Sequence, residues 1–484
     1  MKKSILVALS VAFLGFTACS EDTMDDINKD TLHPQPEVVP ATLQLTEAIM
    51  STGYSTISGD LAFYLSSWTE QEFGTGNSQL MKAELRNSIE WTASSTFNNV
   101  WSGTYGNLLN IQQMIDKVEN NVSGNEGQLD VLGIAQVLKV MEYGVLTDMF
   151  GDIPYSEALK GAENLQPGLD SQKAIYADLI ATLDKAIGNL QQAVDGKMNN
   201  VANQDLVFGG DMSQWLAAAY GLKARYLIHQ SAVDNSVYAS AEAAAQKAIE
   251  LGFAGMTITE FNGVTCDNPW SAFVLSRGYT ASSTTVTNLM EKYNDPRIDL
   301  YLAGGEAFNP GDAEGARLSW SPSYPVWFDL GSQPIHLLSQ AEVYFILAET
   351  QLRQGKDATE AFQAAVASSV ADIMNICGED ASVAADYAAS LGAPTLQTLF
   401  EQKYLAQIVD EQVETFNDMR RCEAMGENWI KLANPMNTQR GLNRLPKRLP
   451  YGNDSVLNNP KIAEAYGDGF YIYDQPVWWA GGSR

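Results

Sequence analysis

Ala341-Glu342-Val343-Tyr344-Phe345-Ile346-Leu347-Ala348-Glu349, followed by Gln354-Gly355 and then by Ala361-Phe362 and Ala365, spells two helices that fold back on each other. Leu338, Ala341, Phe345, Ala348 and Leu352 recur at steps of three and four and share one helical face. The pattern stops at Gly355, restarts at Asp357 and runs from Ala358 to Ile376. Small residues facing aromatic ones let two antiparallel helices nest closely, and a glycine between them reverses the chain.

The same spacing extends outward on the N-terminal side. Phe97, Trp101, Tyr105, Leu108, Ile111, Ile115 and Val118 form one face, as do Leu132, Ala135, Leu138 and Met141. Tyr176, Ile180, Leu183, Ile187 and Leu190 form the next, followed by Trp215, Ala219, Leu222, Tyr226 and His229. An alanine-rich helix from Ala239 to Leu251 ends at Gly252. A further helical run is predicted from about Thr395 through Asn417. The pair around Gly355 resembles a tetratricopeptide unit, with comparable endings at Lys185-Ala186-Ile187 and Lys247-Ala248-Ile249. The intervals between these endings do not hold a fixed period of about 34 residues. The expected fold is mainly α: degenerate tetratricopeptide-like helix pairs interrupted by long, loop-rich insertions at about 60–95 and 253–337. Residues from Asn434 to the end read as loop packed over the helices.

Composition narrows the partners. The 484 residues carry 58 Asp+Glu against 30 Lys+Arg, a formal charge of −28, which repels phosphate backbones and makes nucleic acid a poor ligand. Lys2 and Lys3 precede an apolar run from Ile5 to Phe16, too short to span a bilayer and matching a secretory signal. Phe16-Thr17-Ala18-Cys19 resembles the lipobox of bacterial lipoproteins, which makes Cys19 the lipidated residue. Ser20-Glu21-Asp22-Thr23-Met24-Asp25-Asp26 is similar to the surface-export signal of Bacteroidetes lipoproteins. Residues 1–18 are thus read as signal, 19–40 as an acidic tether with Pro34, Pro36 and Pro40, and 41–484 as a single body. Cys266, Cys377 and Cys422 lack the spacing of a zinc site or disulfide framework and read as small buried hydrophobes.

One stretch carries a family resemblance. Leu146-Thr147-Asp148-Met149-Phe150-Gly151-Asp152-Ile153-Pro154-Tyr155-Ser156-Glu157-Ala158 resembles the helix end and turn of the SusD/RagB family. Asn99-Val100-Trp101, Asn294-Asp295-Pro296-Arg297, Phe416-Asn417-Asp418-Met419-Arg420-Arg421 and Arg448-Leu449-Pro450-Tyr451-Gly452 support it. The resemblance spans the chain after the signal. It implies a non-catalytic surface lipoprotein of the outer membrane that binds an oligosaccharide and delivers it to a SusC-like TonB-dependent transporter. In that arrangement the helix pairs face the transporter and the loops face the ligand. Peptide capture, as in the RagB branch, is the alternative within the family, and a helical-repeat scaffold for proteins is the alternative outside it.

The signature itself reads as a structural corner. Gly151 can take positive φ where the helix stops, Pro154 prevents its continuation, and Asp148 and Asp152 can accept from turn amides. Arg420 and Arg421 are expected to pair with carboxylates. His229 and His336 stand in no H-E-x-x-H or triad neighbourhood, Gly74-Thr75-Gly76 lacks a third glycine, and no EF-hand loop is present, so neither catalysis, a cofactor nor a metal is indicated. A glycan platform needs rings for sugar faces and a polar rim for hydroxyls. Two stretches combine them: Trp68, Glu70, Gln71, Phe73 and Asn77, and Asn268, Trp270, Arg277 and Tyr279, with Trp320 and Trp327 as further ring candidates. Trp91, Trp101 and Trp215 belong to the scaffold.

Overall fold

Side-chain caps set where many of the helices begin. Ser171 accepts from the amide of Ala174, Asp211 from those of Ser213 and Gln214, and Ser339 from that of Glu342, each satisfying an amide with no partner inside its helix. The computed structural model describes residues 39–76, 78–85, 97–312, 323–434 and 445–483. The signal, Cys19 and the tether up to residue 38 lie outside the described residues.

Helix α1 (Ala41–Ser51) runs into a π-turn (Thr52–Ile57) and then α2 (Asp60–Trp68), which leads to strand β1 (Glu72–Gly74). The array follows: α3 (Phe97–Glu119), α4 (Leu129–Phe150), α5 (Gln172–Asp195), α6 (Met212–His229) and α7 (Val237–Glu250). The insertion that follows holds β2 (Met256–Ile258), α8 (Pro269–Arg277), β3 (Thr280–Ser282) and β4 (Ile335–Leu338). Then come α9 (Gln340–Arg353), α10 (Thr359–Cys377), α11 (Leu396–Ala406) and α12 (Gln412–Ala424). Each array helix packs on the next, and α7 packs directly on α9, so the stack of hairpins continues past the insertion as if it were absent. The expected helical pairs are therefore present.

Several sequence expectations change. The stretch at about 60–95, expected to be loop-rich, holds α2 and a short helix at Gln79–Glu84, and the C-terminal stretch, expected as loop, holds short helices at Asn453–Asn458, Pro460–Tyr466 and Tyr471–Asp474. The run from Thr395 to Asn417 is two helices, because the chain breaks at 407–411 to aim Asp410 at His336 and Glu411 at the amide of Ser339. The 253–337 segment is not uniformly loop: Asn268-Pro269-Trp270 starts α8, with Asn268 as its cap and Pro269 in its first turn. Cys266 and Cys377 are only partly buried, while Cys422 is buried; all three are free.

Helix α4 is buried on nearly every face. A helix with no solvent side must have its last carbonyls satisfied from within the protein. Thr147 O accepts from the amide of Gly151 at 2.8 Å and Asp148 O from Arg420 Nη1 at 2.8 Å. Met149 O accepts from the amide of Leu449 at 2.7 Å and Phe150 O from Arg448 Nη1 at 3.3 Å. Gly151, at φ +80°, turns the chain away, and Asp152 accepts from the amide of Gln172 at the start of α5. Arg420 thus serves carbonyls and lies over the rings of Phe416 and Trp479, rather than pairing with a carboxylate as expected. The reason is that the end of α4 presents a cluster of acceptors at its reach. Arg421 does meet carboxylates, Glu349 at 2.6 Å and Asp418 at 2.7 Å.

Beside this corner lies a buried charge network. The Asp148 carboxylate accepts from Tyr176 and from Trp479 Nε1 (2.8 Å) and faces His229 Nδ1 at 3.3 Å, so its partners are side chains and not turn amides. His229 Nε2 meets Glu414 at 2.8 Å, and Arg225 bonds Glu342 through Nε at 2.8 Å. Burial alone would lower the His229 imidazolium, but Glu414 and Asp148 outweigh it and push it up to about 9.

The folded protein therefore holds a proton on His229 that the unfolded chain releases between its ordinary 6.5 and about 9. The resulting stability, on the order of 3 kcal/mol, is whole below pH 6.5 and is lost as pH rises through 9. Urea unfolding at pH 6 and pH 9.5 is expected to show this fall, and His229→Gln is expected to shrink it.

A candidate binding groove between scaffold and insertion

The two ring-bearing stretches predicted from sequence are joined in space. β1 pairs antiparallel with β3, Glu72 opposite Ser282, Phe73 opposite Ala281 and Gly74 opposite Thr280. The amide of Thr75 continues the contact to Tyr279 O at 2.9 Å. The ladder fixes the 253–337 insertion to the segment following α2.

Most of the predicted contact residues lie inside this junction instead of on its surface. Trp68 is enclosed between Phe97 and Phe416. Glu70, at φ +58°, accepts from the amides of Ala433 and Asn434, both at 2.6 Å, and Gln71 bonds Tyr404 O and Thr415. Phe73 stacks on Phe308. Asn268 caps α8 and reaches Gln333 O at 3.0 Å. Trp270 stacks on Phe328 with centroids 4.4 Å apart, and Trp327 packs against Tyr301; both indoles are buried. These rings have no face open to a sugar, because flanking apolar residues draw them into the core that the insertion needs in order to dock. Arg277 is exposed and Tyr279 half-buried. Asn77, Trp91 and Trp320 lie outside the described residues.

Above the buried rings runs an open groove of about 410 Å³. One wall is scaffold: Tyr54 and Ser55 of the π-turn, Asp60 at the first turn of α2, and Asn99 and Gly103 of α3. The other is α8 of the insertion, through Pro269, Ala272, Phe273 and Ser276. Phe273 is half-buried and lies parallel to Phe63, centroids 4.2 Å apart, and Phe63 in turn meets the edge of Trp270 at 4.7 Å. Tyr279 touches Phe273 edge-on, and Arg277 follows Ser276 at the end of α8. Tyr54 is 40% exposed. Burial raises the Asp60 carboxyl above its usual range, opposed by a long hydrogen bond from Asn99 Nδ2 at 3.5 Å.

The groove thus offers aromatic surface at Tyr54 and Phe273, a carboxylate at Asp60, an amide at Asn99 and hydroxyls at Ser55 and Ser276. Sequence reading singled out Arg277 and Tyr279 nearby but missed Tyr54, Asp60 and Phe273. Ser51-Thr52-Gly53-Tyr54-Ser55, a turn-rich stretch with a lone ring, was the available signal for Tyr54. Among the described residues, no group of three or more His, Cys, Asp or Glu is placed to hold a metal, and no helix is long and apolar enough to cross a membrane.

A family model described as starch-binding and associating with the outer membrane matches residues 43–452. A SusD/RagB family protein from Bacteroides thetaiotaomicron is 31% identical, with a TM-score of 0.81 over 92% of this chain and 100% of its own. A chitin-binding protein is 19% identical, with a TM-score of 0.70 over 92% of this chain and 100% of its own. A chitin-binding SusD homolog from Flavobacterium johnsoniae is also 19% identical, with a TM-score of 0.63 over 87% of this chain and 98% of its own. No curated protein matches the chain.

Burial separates the roles of neighbouring side chains on α8. Trp270→Ala is expected to cost about 3–5 kcal/mol in urea unfolding, because it empties a packed site. Arg277→Ala, at an exposed position, is expected to stay within about 0.5 kcal/mol of the parent.

Proposed function

The chain belongs to the SusD-like family, and on that premise we propose that it captures an oligosaccharide in the groove between α8 and the π-turn and delivers it to a SusC-like TonB-dependent transporter. The observation that carries this reading is the pairing of open ring surface at Tyr54 and Phe273 with Asp60, Asn99, Ser55 and Ser276 along one groove. The C–H faces of a pyranose stack on aromatic rings while its hydroxyls exchange hydrogen bonds with carboxylate, amide and hydroxyl groups. The starch-binding description of the family and the chitin-binding names of two structural relatives agree with a glycan as cargo.

Binding without chemistry is the reading that suits this lining. Glycoside hydrolysis generally takes two carboxyl groups across the scissile bond. Among the described residues lining the groove, Asp60 is the one carboxylate. Lipidation at Cys19 would hold the protein to the outer membrane at the cell surface, with the helix array turned to the transporter and the groove turned to the ligand.

Calorimetry with starch-derived and chitin-derived oligosaccharides and with peptides tests the assignment. Heat is expected from a saccharide, and Phe273→Ala and Tyr54→Ala are each expected to weaken it at least about tenfold, equivalent to about 1.4 kcal/mol. Heat from peptides alone would make the cargo a peptide. Release of reducing ends from a bound oligosaccharide would end the non-catalytic reading.

A further inference from the structure

The wall of the groove that carries Tyr54 and Ser55 is wound as a π-turn, closed by the amide of Ser58 on Gly53 O at 2.9 Å. Such windings are uncommon and concentrate at functional sites. Both flanks of this one are tied to a single buried carboxylate. Glu142, on α4, accepts from Thr52 Oγ1 at 2.6 Å and from Asn107 Nδ2 at 2.8 Å on Oε1, and from Thr56 Oγ1 at 2.8 Å on Oε2. Thr52 and Thr56 bracket Gly53, Tyr54 and Ser55. Asn107 belongs to α3, the helix that also supplies Asn99 and Gly103 to the groove. The packing leaves the turn little latitude: a Cβ added at Gly53 would meet Ile258 Cδ1 at 2.5 Å, and one at Gly59 would meet Tyr54 O at 2.7 Å.

We propose that Glu142 is a positioning residue for the groove: ionised, it holds the π-turn in the winding that presents Tyr54 and Ser55 to ligand, and protonated, it loosens that hold and lowers affinity. The ligand half of this proposal rests on the groove being the glycan site. An ionised carboxylate only accepts, and it takes all three donors as charge-assisted bonds, roughly twice as strong as neutral ones. A protonated acid must donate through one oxygen, so one threonine hydroxyl has to turn, Thr52 Oγ1 having Ala48 O of α1 at 2.9 Å as its other acceptor, and the remaining bonds to Glu142 become neutral. Burial pushes the Glu142 carboxyl up to about 7, against the bonds from Thr52, Asn107 and Thr56, which places the change near neutrality.

The groups that face Glu142 are uncharged. Thr52 and Thr56 come from the π-turn, Asn107 from α3, and Thr104 of α3 lies 3.4 Å from Thr56. Glu47 of α1 is exposed, and Asp116 and Glu119 of α3 act on Lys139. On α5 and α6, Asp178 is bonded by Tyr155, Asp184 by Lys223, Arg225 by Glu342, and His229 by Glu414. On α4 itself, Asp130 is bonded by Asn200 and Asp148 by Trp479. Asp60, in the groove, also has a raised carboxyl; its titration is common to the parent and to Glu142 variants and cancels when they are compared.

The test uses the folded chain at pH 8 and pH 5.5, with amide hydrogen exchange over residues 52–58 normalised to the intrinsic rate at each pH. Affinity for starch-derived and chitin-derived oligosaccharides is measured at the same two values. In the parent, protection of the turn and affinity are both expected to fall about three- to tenfold on acidification. Glu142→Gln should show the low values at both pH values. Thr56→Val should reduce both readouts at pH 8, whereas Thr56→Ser, which keeps the hydroxyl, should retain the parent profile. Equal pH dependence of turn protection in the parent and Glu142→Gln overturns the proposal, whether or not a glycan binds. Turn protection that follows Glu142 while affinity does not overturns the positioning role. If no saccharide binds the parent at either pH, the groove reading fails, and turn protection still decides for or against Glu142.

Discussion

A buried helix end is the constraint on which the rest of this structure depends. Helix α4 has almost no solvent-facing side, and an orphaned carbonyl in such a place costs on the order of 1–3 kcal/mol. Satisfying its last carbonyls brings together segments far apart in the chain: Arg420 from α12, and Arg448 and the amide of Leu449 from the C-terminal stretch. Arg448 also gathers Gln475 O and Pro476 O, both at 2.8 Å, and Trp479 Nε1 donates to Asp148. The C-terminal stretch is thus a cap on the core as well as a covering for the array. It explains why the motif at 146–158 and the motifs at 416–421 and 448–452 occur together in one sequence: they are parts of one corner.

The turn at 146–158 was legible because its residues are chemically distinctive and close in sequence, whereas its partners Arg420, Arg448 and Trp479 lie more than 270 residues away and were not assigned to it. The helix pairs were legible because burial on one side imposes a period of three to four on the apolar residues. What was not legible follows from the same physics. Between Thr395 and Asn417 the apolar rhythm is nearly continuous, and the break at 407–411 exists because Asp410 and Glu411 are needed by His336 and Ser339, partners more than seventy residues away. Nothing local in the sequence announces such a partner.

The ring-bearing stretches show a different limit. Gly, Pro, Ser and Asn around Trp270 read as surface loop, yet Asn268-Pro269 is a helix start and the ring points inward onto Phe328. Composition reports that a segment is not part of the periodic array; it does not report which face of a short helix is buried. In α8, Trp270 and Val274 are buried while Phe273, Ser276 and Arg277 are not, a division set by what docks against the helix. The large indole takes the interior because the most apolar area gains the most from leaving water. The smaller ring, one turn on, is left at the edge. The stretch singled out for its rings does line the groove, through Phe273 and not through Trp270.

The inward rings then have a consequence for the groove. Its two walls come from different parts of the fold, α3 and the π-turn on the scaffold side and α8 on the insertion side, and a cleft with independent walls has no fixed width. Here Phe63 of the scaffold meets two rings of the insertion, Phe273 at 4.2 Å and Trp270 at 4.7 Å, and Trp270 is backed by Phe328 of the same insertion at 4.4 Å. Close-packed aromatic contacts resist being drawn apart, because even a gap of about 0.5–1 Å forfeits a quarter to a half of each contact's attraction. The β1–β3 ladder fixes the same two parts in register from the other side. The rings of Phe63 and Trp270 thus set the separation at which Tyr54 and Phe273 stand, so buried side chains fix the width of the groove.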